Sequence, residues 1–204
     1  MTDLTVVVIG AGALGASTAY HLARRGARVT LVDQYAPGSQ TSPRAAGLTN
    51  TKPVSQPIMV RLQDEATETL AAFERECGRS IDFVRSGSVK ASYTDAGERR
   101  LLQDVETARA QGVKVNLISA AEAERLAPWF VAGPARTIAH VPSDGYLDPA
   151  RLPVAYIGLA QEAGARVLPF TRVTDLLRSG DGVEGVATTR GELRADVVVD
   201  AAGA

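Results

Sequence analysis

Short unbroken aliphatic runs alternate along this chain with longer stretches in which apolar residues recur every three or four positions, predicting strands and helices in turn. Leu4 to Ile9 is the first run, almost all β-branched or aliphatic, as expected of a strand buried on both faces of a parallel sheet. After the turn Gly10 to Gly15, Ala16 to Arg25 reads as a helix with Leu14, Ala19, Leu22 and Ala23 inward and Gly26 as its cap. Arg28 to Val32 predicts a second buried strand, ending on Asp33. Gly38 to Asn50 is too rich in Gly, Ser, Thr and Pro for a regular element and reads as a loop.

From Ile58 the spacing changes. Ile58, Leu62, Ala66, Leu70, Phe73 and Cys77 predict the inward stripe of one long amphipathic helix, with Asp64, Glu65, Glu68, Glu74 and Glu76 off it and Gly78 as its stop. Residues Ile81 to Leu147 are mixed. They predict short strands at Ile81 to Val84, Ser88 to Tyr93 and Val113 to Ile118, a helix near Asp95 to Gln111, and a short helix opened by a capping box of Ser119 and Glu122 and ending before Pro128. Asp148 and Pro149 then start a helix with Leu152, Ala155, Leu159 and Ala163 inward, closed by Gly164. Strands are expected at Ala165 to Phe170, Val173 to Leu177, Val183 to Thr189 and Ala195 to Asp200. The reading is therefore an α/β chain with a discontinuous Rossmann-type domain, 1–78 and 148–204, and an inserted α+β lobe, 79–147, as the place of substrate recognition.

Composition narrows the chemistry. In 204 residues, 22 Lys and Arg against 23 Asp and Glu leave a net charge of −1, so no basic field is present to hold nucleic acid or an anionic membrane. The single cysteine, Cys77, excludes an intramolecular disulfide and a Cys-based metal cluster. His21 and His140, without spaced carboxylates, do not predict a metal or hydrolytic site. No segment approaches the ~20 apolar residues of a membrane helix. Val6 to Leu14 lacks a preceding basic residue and is broken by Gly10 and Gly12, unlike a signal peptide, so a cytoplasmic location is expected.

The chemistry-bearing motif is Gly10-Ala11-Gly12-Ala13-Leu14-Gly15. Gly10 permits the tight turn, Gly12 lets backbone approach a pyrophosphate, and Gly15 lets helix and strand pack closely. The helix N-terminus, with its unpaired N–H groups, would face the phosphates. Eighteen residues beyond Gly15, Asp33 closes the second strand with Gln34 beside it, placed to accept hydrogen bonds from the adenosine ribose and to repel a 2′-phosphate. NAD and FAD share this fingerprint.

Three further segments decide between them by resemblance. Thr41-Ser42-Pro43-Arg44-Ala45-Ala46-Gly47, then Gly145-Tyr146-Leu147-Asp148-Pro149 with Thr171-Arg172-Val173, then Asp196-Val197-Val198-Val199-Asp200-Ala201-Ala202-Gly203 follow one another in the order seen in the D-amino acid oxidase superfamily. The chain resembles this superfamily of FAD-dependent amine oxidoreductases, which includes glycine oxidase, sarcosine oxidase and D-amino acid dehydrogenase, from Thr5 to its last residue. The resemblance implies FAD as cofactor. It implies polar contacts from Thr41, Ser42 and Arg44 to the phosphates and ribityl chain, close approach of Ala46 and Gly47 to the isoalloxazine, and Ala45 between them as a further cofactor-binding residue. It further implies adenine binding at the backbone of Val173 and a second small-residue turn at Ala201, Ala202 and Gly203 against the dinucleotide.

The expected activity is removal of a hydride from the carbon beside the nitrogen of an amino acid or secondary amine, accepted at flavin N5. No catalytic residue carries over. The alternatives are an NAD-dependent dehydrogenase and a non-catalytic cofactor-binding subunit or fragment. The superfamily continues past a strand like the last one here with more of the substrate lobe, including an arginine that grips the substrate carboxylate. The chain alone is therefore expected to leave an apolar face open to self-association or to a partner chain.

Overall fold

The computed structural model describes residues 4–50 and 57–203; the ends of the expected domain ranges, 1–3 and 204, and the stretch 51–56 lie outside it. Contacts divide the chain into two units, Met1–Ala46 with Cys77–Asp82 and Asp148–Ala204, and Gly47–Glu76 with Phe83–Leu147.

The first unit is built on four parallel strands in the order β12-β1-β2-β8, with β1 Thr5–Ile9, β2 Arg28–Val32, β8 Arg166–Leu168 and β12 Val197–Asp200. β1 is central, so Val6, Val7 and Val8 are buried, as are Leu31 and Val32 of β2. Each such side chain contributes about 1.5–3 kcal/mol when fully buried. Helix α1, Ala13–Arg24, joins β1 to β2 and packs against α5, Arg151–Glu162. Alanines make that approach close: Ala16, Ala19 and Ala23 on α1, Ala155 and Ala160 on α5, with Tyr20 and Tyr156 rings 5.8 Å apart. Gly26 takes φ +89° after α1 and Gly164 φ +92° after α5, the left-handed stops expected from sequence. A three-stranded antiparallel sheet, β11 (Gly191–Arg194), β10 (Gly182–Thr188) and β9 (Val173–Ser179), packs on the parallel one through Val186 and Ala195 against Val7 and Val32.

Several sequence expectations shift. Helix α1 starts at Ala13, and Leu14, expected inward, is 79% exposed. The inward face is set instead by Gly15, Ala16, Ala19 and Ala23, small residues that permit close packing where leucine would not. Helix α5 begins at Arg151 rather than at Pro149, yet Asp148 still serves it: Oδ1 accepts from the N–H of Ala150 at 2.8 Å. Ala163, expected inward, is exposed beyond its last turn, and β11 is a strand where none was expected.

The second unit holds β4 (Ser88–Ser92), β6 (Thr137–Val141) and β5 (Asn116–Leu117) as an antiparallel sheet in the order β4-β6-β5, and a two-strand pair, β3 (Leu48–Thr49) with β7 (Gly145–Tyr146). Helix α2, Pro57–Cys77, lies largely within this unit, not in the nucleotide domain where the 1–78 boundary places it. Val60 is the reason: it is buried in a cluster with Leu101 and Val105 of α3 (Asp95–Ala110) and Val141 of β6. The buried stripe of α2 therefore passes through Val60, Thr67 and Phe73, while Ile58, Leu62 and Ala66 are exposed. Ser119 does cap helix α4, Ala120–Leu126, accepting from Glu122 N at 3.2 Å. Ile81 to Val84 is not a strand but a single bridge from Val84 to Tyr146, and Leu48–Thr49 is a strand where loop was expected.

The edge strand β12 is fastened by Asp196, whose Oδ2 accepts from both the N–H and the hydroxyl of Thr5, at 2.7 and 2.5 Å. Those hydrogen bonds hold its carboxyl below the usual carboxylate range. An acid with a depressed folded pKa stabilises above its unfolded pKa and loses that contribution as pH falls through the folded one. Asp196→Asn should therefore lower the melting temperature slightly at pH 7, the group being exposed, and the difference should vanish in strong acid; a difference independent of pH would contradict this role.

Candidate functional site

The turn between β1 and α1 is held from three sides. Gly10 N donates to Val32 O at 2.7 Å and takes φ +96°; a Cβ there would sit 2.3 Å from Ala201 O. Gly15 lies under the turn, where a Cβ would come within 1.8 Å of Gly10 O. Ala201, whose N donates to Ile9 O at 2.9 Å, stands with Ala202 against Gly10 of the turn. Ala202 N donates in turn to Asp200 Oδ1 at 3.0 Å.

Gly12 differs from its two neighbours. It is the N-cap of α1, extended at φ −76° and ψ −173°, with no side-chain cap of its own, and the first turn of α1 carries no acidic residue. α1 itself thus supplies no carboxylate to the positive end of its dipole, and the one that reaches the turn, that of Asp33, accepts from Ala11 N. A Cβ on Gly12 would touch only Ser42 Oγ, at 3.2 Å. Ser42 itself accepts from Ala13 N at 3.0 Å, fixing the 3-10 turn Ser42–Arg44 beside the helix start.

Asp33 has a structural duty that sequence reading missed. Its Oδ2 accepts from Ala11 N at 2.8 Å and its Oδ1 from Tyr35 N at 2.8 Å. The carboxylate braces the glycine turn and also makes its own Asx turn. Each carboxylate oxygen keeps a further lone pair for an outside donor. The only trace of this in the sequence is an aspartate at a strand end, which carries no information on its partner. Thr171, buried at 1% exposure, donates its N–H to Asp33 O at 2.7 Å and its hydroxyl to Pro169 O at 3.0 Å. These bonds set Val173, the first residue of β9, two positions from the Asp33 backbone. Gly38 N donates to Ala11 O at 2.9 Å, closing the approach of the following loop.

The structure brings together Gly10, Ala11, Gly12, Gly15, Asp33, Ser42, Ala201 and Ala202 by these contacts. Arg44 is turned on its own loop, its Nη1 donating to Gln40 O and to Ser39 O, the latter at 3.4 Å. Thr41, Gln34, Leu14, Ala45 and Ala46 are exposed nearby in sequence, and Gly47 belongs by contacts to the second unit. Among the described residues no group of three or more metal-ligating side chains occurs, and no helix is long and apolar enough to cross a membrane.

Comparison with known proteins bears on what this site holds. A family model described as DAO, FAD dependent oxidoreductase, matches residues 5–204. The 4-methylaminobutanoate oxidase (formaldehyde-forming) of Paenarthrobacter nicotinovorans is 32% identical over 99% of this chain and 24% of its own length. The anaerobic glycerol-3-phosphate dehydrogenase subunit A1 of Haloferax volcanii is 31% identical over 98% of this chain and 36% of its own. The crystal structure of L-proline dehydrogenase from P. horikoshii superposes with a TM-score of 0.90 at 28% identity, over 99% of this chain and 53% of that one. The chain thus spans between about a quarter and about half the length of these proteins.

Proposed function

The chain belongs to the FAD-dependent oxidoreductase family, and on that premise we propose that its Rossmann-type unit holds FAD over the Gly10–Gly15 turn, in an enzyme that oxidises an amino acid or secondary amine beside its nitrogen. The observation that carries the reading is the N-terminus of α1: no acidic residue stands in its first turn, and its N-cap, Gly12, has no capping side chain and, among the described residues, only Ser42 Oγ within 4 Å of a Cβ position. A pyrophosphate fits that charge and that space.

The residues divide the work. The N–H groups of Gly12, Leu14 and Gly15 hold the pyrophosphate, while that of Ala13 is taken by Ser42 Oγ beside them. Asp33 takes the adenosine ribose hydroxyls on lone pairs left free by Ala11 and Tyr35. Val173 offers backbone to the adenine, Ala201 to Gly203 cover the turn, and Thr41, Arg44, Ala45, Ala46 and Gly47 serve the ribityl and isoalloxazine side. The bound flavin supplies the hydride acceptor. What these residues contribute is a fixed position and an electrostatic match. With FAD as the family's cofactor, the NAD reading falls away.

Amine chemistry is favoured because two of the three similar proteins are named for secondary amines, 4-methylaminobutanoate and proline, with the inserted unit proposed as the substrate-recognising part. The third is named for an alcohol phosphate. The deciding experiment is anaerobic mixing of the full-length flavoprotein with sarcosine, L-proline, glycine and glycerol 3-phosphate. Bleaching by an amine supports the proposal. A colourless protein, or bleaching by glycerol 3-phosphate alone, overturns it.

Asp33→Ala should weaken FAD binding by roughly 1–3 kcal/mol, the usual loss for charge-assisted hydrogen bonds, read as a rise in Kd of about fivefold to about 150-fold by flavin fluorescence titration. An unchanged Kd in a folded variant would remove Asp33 from the site.

A further inference from the structure

The ladder between β2 and β8 changes step just where the two strands leave the parallel sheet. Thr30, Leu31 and Val32 pair in register with Arg166, Val167 and Leu168, and Asp33 N still donates to Leu168 O, at 3.1 Å. A regular parallel ladder would return the next bond to Asp33 O from residue 170. It comes from Thr171 N instead, at 2.7 Å, so one extra residue is inserted between Leu168 and Thr171. Such a bulge re-aims a side chain. Here the side chain is that of Phe170, whose φ is +53° and whose N–H donates to Tyr35 O at 3.4 Å.

That conformation is unfavourable for phenylalanine. Among the described residues the only other non-glycine with positive φ is Asp82, of a type that tolerates it. Phe170 gains no burial in exchange, being 68% exposed, and it cannot relax: buried Thr171 locks the bulge, its N–H on Asp33 O and its hydroxyl on Pro169 O. A ring held rigidly in solvent against its own backbone preference is the kind of strain that accompanies a ligand. The neighbours say which ligand. On one side Asp33 keeps lone pairs for the ribose, and on the other Val173, three residues along, has the backbone assigned above to adenine; all of these residues belong to the first unit. An aromatic face at that junction matches a flat heteroaromatic base.

We propose that Phe170 is the stacking platform for the adenine of FAD, and that the Pro169–Phe170 bulge exists to present its ring there. This rests on the FAD reading above. The backbone of Val173 reads the edge of the base while Phe170 takes its face, so the adenine half of the cofactor is gripped independently of the flavin half.

The test uses the full-length flavoprotein freed of its flavin and titrated calorimetrically with FAD and with ADP, which carries the adenine half alone. Phe170→Asn should raise Kd for both by a similar factor, roughly fivefold or more, the range for a lost ring–base stack. The melting temperature of the same apoprotein should rise, because asparagine accepts a positive φ more readily and an exposed ring has little packing to lose. Binding and stability thus move in opposite directions, which a merely structural role would not produce. Phe170→Leu, apolar but without a flat face, should show the same loss of binding, whereas Phe170→Trp should stay within about twofold of wild type. Unchanged Kd values in Phe170→Asn and Phe170→Leu, a loss in Phe170→Trp as large as theirs, or a lower melting temperature in Phe170→Asn would overturn this inference alone. A wild type that binds neither FAD nor ADP would overturn the FAD reading beneath it.

Discussion

Gly12→Val is expected to abolish FAD retention while leaving the fold intact. The backbone at Gly12 is extended, at φ −76°, a conformation open to any residue, and a Cβ there would meet Ser42 Oγ at 3.2 Å, which need give by only a few tenths of an ångström. The folded state thus has little to lose. The branched side chain would instead stand over the first N–H groups of α1, in the volume a pyrophosphate needs. Circular dichroism should match wild type, and flavin carried through gel filtration should fall to background. Normal flavin content would show that the turn does not touch the phosphates.

Gly10→Ala should do the reverse, damaging the fold first. Its φ of +96° is a region that L side chains rarely adopt, and its Cβ would lie 2.3 Å from Ala201 O and 2.8 Å from Ala202 Cα, both backbone atoms that cannot rotate away. Strain of about 1–2 kcal/mol from the dihedral adds to about 1–3 kcal/mol from overpacking. A loss of about 3 kcal/mol in denaturant unfolding is the expected result, present with or without FAD. A variant as stable as wild type would mean that the 201–203 segment lies elsewhere.

The contrast between these glycines explains what could and could not be read from sequence. The spacing of Gly10, Gly12 and Gly15 after an aliphatic run is local, and the strand, turn and helix around it form where expected. Val6 to Val8 are buried because β1 is covered on one face by the antiparallel sheet and on the other by helix α1, and a run without polar interruption records that directly. Leu14 misled because periodicity reports which residues are apolar, not how near the neighbouring helix comes; α1 and α5 meet through alanines, and leucine is turned out. The stripe of α2 was misplaced for a related reason, since Val60 gains its partners from α3 and β6, far away in sequence. Two-residue strands such as Leu48–Thr49 have too few positions to show alternation. At the site, glycines and Asp33 were legible by spacing, whereas the bonds from Ala11 to Asp33 and from Ala13 to Ser42 depend on loop conformations that spacing does not encode.

Val6 pairs with Val197, and the glycine turn closes only when Ala201 arrives over Gly10. During synthesis the central strand of the parallel sheet must therefore wait, one edge uncovered, while nearly two hundred residues emerge and the whole second unit is made. The cradle for the dinucleotide is absent from any shorter nascent chain. FAD cannot act as an early folding template here; it can only capture the product, so cofactor supply should govern how long the finished protein survives rather than how fast it forms.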